Sequence, residues 1–227
     1  MPYMSFETPV RTTTPHIVST NIAHPFPAPD QPHRPTGIHK VAVDSISVFA
    51  PGPRYGDGSG VEGDLVGNAK HHGGADKAVY IFAREELDFW SEQGGVNYAN
   101  GMFGENLTTV GVNWSEVLIN QRFSVGTAVL EVSVPRQPCR TFAMWLERRG
   151  WVKTFTAHGD CGAYARVITP GTISPADTIT FHEPPAHGVT MGMAFAAKMG
   201  NKNIAQDVVA AHCLPEHHHR QLVKLIS

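Results

Sequence analysis

Short apolar runs that end at glycine or proline restrict the fold of this chain more than any other feature. Five of these runs have the composition of β-strands, and they lie at residues 40–49, 76–82, 129–134, 163–168 and 177–181. The run at 129–134 alternates, because Leu130, Val132 and Val134 share one face and polar residues share the other. Two helical patterns interrupt the runs, at residues 84–93 and 141–149. Since strict alternation of strand and helix is missing, we predict a mainly β fold, an antiparallel β-barrel with a few helices.

The distribution of prolines divides the chain into three parts. Prolines crowd residues 1–33, which we predict to form an arm outside the main domain. The strand-like runs then place the β-barrel domain at residues 34–184. After Pro184-Pro185, three helical patterns follow, at residues 189–199, 204–212 and 216–226. They predict a small α-helical appendage over residues 187–227 that packs on the barrel.

Composition excludes several classes of protein. The 227 residues carry 18 Lys and Arg against 20 Asp and Glu, a net charge of −2 that gives no basic footprint for nucleic acid. A membrane-spanning helix needs a run of about 18 apolar residues or more, and the chain has none. The N-terminus lacks the basic and apolar stretches of a secretory signal. Because the three cysteines are widely spaced, we expect reduced thiols and a cytoplasmic protein.

The segment Pro-Arg-Gln-Pro-Cys-Arg at residues 135–140 closes the most regular strand pattern. Its two prolines stiffen the backbone around Cys139. Arg136 and Arg140 flank the thiol and favour the thiolate, which is both the nucleophilic and the metal-binding form. A surface turn whose arginines bind carboxylates has the same pattern, so the residues alone leave both interpretations open.

A second candidate site is the turn His71-His72-Gly73-Gly74. Paired glycines leave backbone N–H groups accessible to an anionic ligand, and Lys77 follows within a few residues. The turn is therefore a candidate phosphate or oxyanion site. A simple polar loop is the alternative.

The triplet His217-His218-His219 is a poor metal site. Consecutive residues on a helix point about 100° apart, so the three rings cannot face one ion. We interpret the triplet as exposed helix surface.

Five motifs in a fixed order resemble the MOSC family, the C-terminal domain of molybdenum-cofactor sulfurases. The motifs are Gly60-Val61-Glu62-Gly63-Asp64, His72-Gly73-Gly74, Gly104-Glu105-Asn106-Leu107, Pro135-Arg136-Gln137-Pro138-Cys139 and Tyr164-Ala165-Arg166-Val167-Ile168-Thr169-Pro170-Gly171. The resemblance runs from about Arg34 to Phe181 and is strongest to a stand-alone bacterial branch. The tail from His187 resembles the three-helix appendage of that branch.

The resemblance implies a distorted β-barrel in which Cys139 binds the metal of a molybdenum cofactor (molybdopterin) and takes part in catalysis. A thiolate suits a metal that two pterin sulfurs already hold. The terminal phosphate of that cofactor needs cationic and N–H partners. The candidate cofactor-binding residues are Lys40, His72, Gly73, Gly74, Lys77, Asn106, Arg136 and Arg166. Cys161 lies outside the metal motif, so we interpret it as structural.

The resemblance also implies reduction of a small N-hydroxylated compound to an amine. The sequence has no iron–sulfur cysteine array and no dinucleotide fingerprint, so electrons have to come from an external reductase or ferredoxin. Two alternatives remain. The protein could carry the cofactor or a sulfur atom without turnover, or Cys139 could be the nucleophile of a thiol hydrolase with His72 or His158 as base. A homodimer is also possible.

Overall fold

The computed structural model describes residues 13–227, which form twelve strands and six α-helices. The strands are β1 (His16–Ala23), β2 (Phe26–Ala28), β3 (Gln31–Thr36), β4 (Lys40–Val43), β5 (Ile46–Val48), β6 (Val79–Ala83), β7 (Leu107–Val110), β8 (Arg122–Val125), β9 (Ala128–Val132), β10 (Ala163–Thr169), β11 (Gly171–Ile173) and β12 (Thr180–Phe181). The helices are α1 (Arg84–Gly94), α2 (Arg140–Trp145), α3 (Trp151–His158), α4 (Met191–Lys198), α5 (Lys202–Ala210) and α6 (Glu216–Ile226).

Eight strands form one sheet in the order β12-β8-β9-β10-β6-β7-β1-β4. Its neighbouring strands are antiparallel except for β6 and β7, a parallel pair connected through α1. Two further ribbons pair β5 with β11 and β2 with β3. Since β12 and β4 end the sheet without pairing to each other, the barrel is distorted and not closed. The predicted fold class, a mainly β distorted barrel with a C-terminal helical appendage, is confirmed.

An aromatic core lies between the sheet and the helices α1 to α3. All five residues of β6 are buried, and the Phe82 ring packs against Phe103 at 5.1 Å between ring centroids. Trp151 and Phe155 of α3 extend this cluster, with 5.5 Å between their ring centroids. The core therefore fixes the start of α2 relative to the sheet, because Phe142 of α2 packs against Trp151 and Phe155.

The prediction of an arm over residues 1–33 is wrong for the part that the structure describes. Residues 16–23 form β1, which pairs with both β7 and β4, and Ile17 is 1% exposed. The reason is local: residues 16–24 contain no proline, so every N–H needed for strand pairing is present. Of the prolines that follow, Pro27, Pro32 and Pro35 lie in the separate β2–β3 ribbon. Residues 1–12 of the predicted arm lie outside the described residues.

The second helical pattern forms a shorter helix than predicted, and a further helix follows it. The helix predicted over residues 141–149 is α2, which ends at Trp145, and α3 was not predicted. Glu147 and Gly150 have φ of 53° and 77°, and this left-handed backbone ends the first helix and begins the next. Glycine at position 150 supports such a conformation without a steric penalty.

The three C-terminal helices form close to the predicted positions. The side chains of Thr190 and Asn201 cap α4 and α5, where they accept hydrogen bonds from Met193 N and Ile204 N. Helix α5 packs on both α4 and α6. Within residues 13–227, no helix combines the length and the apolar character that crossing a membrane requires.

Candidate functional site

A cavity of about 540 Å³ brings together most of the residues that the sequence singled out. The predicted residues that line it are Lys40, His72, Gly73, Lys77, Asn106, Arg136 and Cys139. Gly74 and Arg166 do not line it. The walls come from the segments before β4 and after β5, from residues 136–141, and from one face of α6.

Cys139 lies at the N-terminus of α2, where its carbonyl oxygen accepts a hydrogen bond from Ala143 N at 3.1 Å. It is exposed, and its Sγ has no hydrogen-bond partner within residues 13–227. Cys161 and Cys213 are both buried, and burial raises the pKa of each thiol. Cys139 is therefore the thiol that can reach a ligand of the cavity.

Arg136 is a buried cation with no counterion among the described residues. It is 6% exposed, and its guanidinium carbon lies 3.5 Å from the ring centroid of Phe142. Its guanidinium donates no hydrogen bond within residues 13–227, and Nη1 is buried without a partner. Removing one ion from water costs several kcal/mol unless a partner compensates. An anionic ligand in the cavity would supply that partner.

Lys77 is the second cation of the cavity without a carboxylate partner in the described part of the chain. Its Nζ donates to the carbonyl oxygen of His71 at 2.8 Å and lies 4.6 Å from the ring centroid of Tyr55. Burial lowers the pKa of Lys77 to about 8, and the nearby Lys198 adds to the effect while Asp76 opposes it. An anion beside Lys77 would raise this pKa again.

The lining as a whole is electropositive. It contains five Lys or Arg side chains and two carboxylates, a balance of +3 in a chain whose net charge is −2. Both carboxylates are already paired, Asp64 with Lys40 at 2.6 Å and Asp30 with Arg34 at 3.7 Å. The unpaired charge is therefore positive, which favours an anionic ligand.

Lys40 and Asn106 belong to a buried network around Asp64. The Asp64 carboxylate accepts hydrogen bonds from Lys40 Nζ at 2.6 and 2.7 Å, from Asn106 Nδ2 at 2.9 Å and from Ser59 Oγ at 3.0 Å. Burial alone would raise the pKa of Asp64, but the ion pair with Lys40 and these hydrogen bonds hold it below its ordinary value. Asn106 Oδ1 also accepts a hydrogen bond from Tyr80 N at 3.2 Å. The side chains of Lys40 and Asn106 are therefore hydrogen-bonded within the cavity wall.

Positions 73 and 74 require glycine because two loops pack closely there. Their φ values are 79° and 76°. A Cβ on Gly73 would lie 2.6 Å from Gly58 O, and one on Gly74 would lie 2.2 Å from Arg54 O. Close loop packing therefore explains both glycines without a ligand, although Gly73 also lines the cavity.

Arg166 forms ion pairs away from the cavity. Its Nε donates to Asp76 at 2.7 Å and its Nη1 donates to Glu131 at 2.9 Å. Asp76 and Glu131 are far from Arg166 in sequence, so neither pair could be read from the motif. The structure does not bring this candidate to the cavity.

The sequence missed the wall that α6 contributes. His218 is 4% exposed and hydrogen-bonded to Tyr55 Oη, so its interpretation as exposed surface is wrong. Burial lowers the pKa of His218 to about 3, and nearby cations, first among them Lys198, act in the same direction. His217 and Gln221 line the cavity beside it. A sequence signal did exist, because His218 lies four residues before the buried Leu222 and so shares its helical face.

The histidines named as bases for a thiol hydrolase do not contact Cys139. His72 lies in the cavity with Nδ1 3.4 Å from Tyr164 Oη, and burial, aided by Lys77, lowers its pKa to about 3. His158 pairs with Glu86 instead. Between residues 13 and 227, no hydrogen bond joins a histidine to the Cys139 thiol. The arrangement therefore lacks the base that activates a cysteine nucleophile.

The cavity does not resemble a self-sufficient metal centre. Among the described residues, no three His, Cys, Asp or Glu side chains are placed to hold one ion. A metal bound through Cys139 would need most of its ligands from a cofactor.

Comparison with known proteins assigns the fold and the motifs to one family. Residues 68–180 match the family model described as the MOSC domain. The chain is 35% identical over 159 residues to the uncharacterized protein YflK of Bacillus subtilis, covering 70% of this chain and 69% of that protein. It is 32% identical over 145 residues to protein YiiM of Escherichia coli, covering 62% of this chain and 61% of YiiM.

Two further similarities extend the comparison. A protein of Gibberella moniliformis named "Reductase" is 31% identical over 138 residues, which are 59% of this chain but 24% of that protein. The crystal structure of YiiM from Geobacillus stearothermophilus superposes with a TM-score of 0.73 at 23% identity, covering 94% of this chain and all of that one. Together with the order of the five motifs and the unclosed barrel, these matches show that the chain belongs to the MOSC family.

Proposed function

We propose that this protein is a molybdenum-cofactor-dependent reductase that converts N-hydroxylated compounds to amines. The observation that carries the proposal is the pairing, in one cavity, of an exposed thiol with a buried cation that has no counterion. Cys139 supplies the thiol and Arg136 the cation. A family associated with the molybdenum cofactor and a relative named "Reductase" support the same assignment.

The residues present fit such a cofactor. A thiolate at Cys139 is a soft donor, which suits a metal with sulfur ligands. Arg136 and Lys77 are suited to an anionic phosphate group because neither is paired with a carboxylate in the described chain. Lys40 and Asn106 would act indirectly, since the Asp64 network holds both in the wall.

The reaction needs two electrons and two protons: R–NHOH + 2e⁻ + 2H⁺ → R–NH₂ + H₂O. When bound, the cofactor supplies the two-electron redox chemistry. The protein residues would orient the substrate and neutralise negative charge. Arg136 would offset negative charge from a buried position, where its electrostatic effect is larger than at the surface. His72, neutral because of its low pKa, would offer a hydrogen bond without adding another cation.

Electrons have to reach the cavity from a redox group outside residues 13–227. Residues 13–227 contain three cysteines, two of them buried, so they cannot hold an iron–sulfur cluster. We therefore propose an external ferredoxin or reductase as the donor.

Molybdenum and pterin content would test the proposal directly. The wild type, Cys139→Ala and Cys213→Ala would be produced in a host that makes the cofactor and analysed in parallel. Cys213→Ala is the control because that thiol is buried outside the cavity lining. We expect near-stoichiometric metal and pterin in the wild type and the control, and loss of molybdenum from Cys139→Ala. A wild type without metal or pterin would contradict the proposal.

Turnover separates the reductase from a carrier of cofactor or sulfur. Loaded protein would be mixed with benzamidoxime and a chemical reductant, and the amidine product measured. Catalytic turnover supports the reductase, whereas tight cofactor binding with no product supports the carrier. Cys139→Ala with undiminished reductase activity would contradict the role of this thiol.

A further inference from the structure

A shallow apolar groove lies on the outside of α2 and α3, separate from the cavity. Its lining residues are Ala143, Gly150, Trp151, Val152, Lys153, Thr156 and Ala157. Beside it, the apolar side chains of Met144 and Val152 are 38% and 37% exposed. Exposed apolar side chains grouped in this way often mark a surface that binds another protein.

The segment that forms the groove carries unpaired positive charge. Residues 139–158 contain three arginines and one lysine, Arg140, Arg148, Arg149 and Lys153, against the single carboxylate Glu147. Arg140, Arg149 and Lys153 are exposed and form no ion pair with any residue between 13 and 227. This face is therefore basic although the chain as a whole is acidic.

The groove is connected directly to the proposed metal ligand. Cys139 is the residue before α2, and its carbonyl oxygen accepts the hydrogen bond of Ala143 N, which belongs to a groove residue. One helical turn, a rise of about 5.4 Å, thus separates the groove from Cys139 along α2. Arg140 also lines the cavity, so the basic face continues into the site.

We propose that this groove is the docking surface for the electron donor, and that the donor is a small acidic one-electron carrier of the ferredoxin class. The inference rests on the proposed function, because a reductase without its own redox cluster needs an external donor. Each docking event would deliver one electron, so two events serve one substrate. An apolar centre with charged rim residues of one sign favours fast, salt-sensitive association with a partner of opposite charge.

A second copy of this chain fits the groove less well. In a symmetric dimer the same patch contacts itself, so Arg149 and Lys153 would face the same cations of the other subunit. Repulsion between like charges in the contact opposes such a dimer. An acidic partner removes this conflict.

The test is the affinity of the full-length, cofactor-loaded protein for a plant-type [2Fe–2S] ferredoxin, measured by titration calorimetry. The variant Arg149→Glu/Lys153→Glu reverses the charge beside the groove. Lys202→Glu/Lys224→Glu is the matched control, because it makes the same charge change at exposed lysines of α5 and α6. We expect the dissociation constant to rise about tenfold or more in the groove variant and to change less than about twofold in the control. It should also rise with salt concentration in the wild type.

Activity assays distinguish failure of this inference from failure of the proposed function. Benzamidoxime reduction with reduced ferredoxin should fall in the groove variant in parallel with affinity, while reduction with dithionite should stay at the wild-type level. Three results would each overturn the docking surface. The wild type could fail to bind ferredoxin, the control variant could weaken binding as much as the groove variant, or the groove mutations could dissociate a dimer. Absence of turnover with dithionite in the wild type would instead refute the reductase, and the calorimetry would still decide whether the groove binds the carrier.

Discussion

Replacing Arg136 by methionine removes the buried positive charge but keeps an unbranched side chain of similar length. In the protein without cofactor, the wild type bears the cost of an ion that is 6% exposed and has no counterion among the described residues. That cost is several kcal/mol, and exchange of buried ionic groups for apolar ones is neutral or stabilising by about 1–4 kcal/mol. The contact with the Phe142 ring, at 3.5 Å, recovers about 2 kcal/mol.

The net effect on the free energy of unfolding follows from the cost of burying the ion and the gain from its contact with Phe142. We expect the free energy of unfolding of cofactor-free Arg136→Met to equal that of the wild type or to exceed it by about 1–3 kcal/mol. For a chain of this size, that increase corresponds to a rise in Tm of about 2–4 °C per kcal/mol. In the cofactor-loaded protein the sign reverses, because the wild-type cation is then paired and the variant has lost that pairing.

Urea denaturation of both proteins, prepared with and without cofactor, measures the effect. Arg149→Met is the control, since this exposed arginine should change the free energy of unfolding by less than about 0.5 kcal/mol. Cofactor-free Arg136→Met that is less stable than the wild type by about 2 kcal/mol or more would refute the reasoning, because it would show that Arg136 already has a stabilising partner.

Three other changes test the cavity walls and the loops packed behind them. Asp64→Asn leaves Lys40 buried and unpaired, so the free energy of unfolding in urea at pH 7 should fall by about 3–5 kcal/mol. Because the folded pKa of Asp64 is lowered, the difference from wild type should begin to shrink below about pH 4, where the unfolded chain takes up a proton at Asp64 before the folded protein does, and should be lost as pH falls through the lowered folded pKa. His218 has a folded pKa of about 3, so the unfolded state binds more protons below about pH 6.5 and stability falls there. His218→Asn should reduce the loss of stability between pH 7 and pH 5 by no more than about 2 kcal/mol, and an unchanged loss would contradict this pKa. Gly74→Ala should be less stable in urea than Gly63→Ala, which shares a positive φ (75°) but has open space around its Cβ; equal losses would show that loop crowding is unimportant.

Local patterns predicted those parts of the fold whose signals are contained in a few adjacent residues. The alternation at residues 129–134 corresponds to β9, and the apolar spacing at 216–226 corresponds to α6. Strand β1 was missed because neighbouring prolines dominated the composition, although none lies within residues 16–24. Helix α3 was missed because Gly150 looked like the end of a helix and is also the start of the next.

The site was predictable to the extent that its motifs name its residues, and unpredictable where distant segments meet. Cys139 and Arg136 share one short motif, and both line the cavity. His218 joins them only because α6 folds back over Tyr55. Arg166 was assigned to the cofactor because it is basic and lies in a motif, but its partners are Glu131 on the neighbouring strand β9 and Asp76 in the turn before β6. Pairing of this kind depends on strand order, which a motif does not contain.

The hydrogen bond between Tyr55 and His218 joins residues 163 positions apart, and this separation bears on when the site matures during synthesis. A ribosome releases the N-terminal part of a chain first, and domains fold as their segments emerge. A nascent chain that has already exposed Cys139 still lacks α6, so its thiol and its buried arginine share an open cleft. The finished cavity comes into being only when α6 docks, and we therefore expect completed chains, rather than translation intermediates, to retain a ligand there.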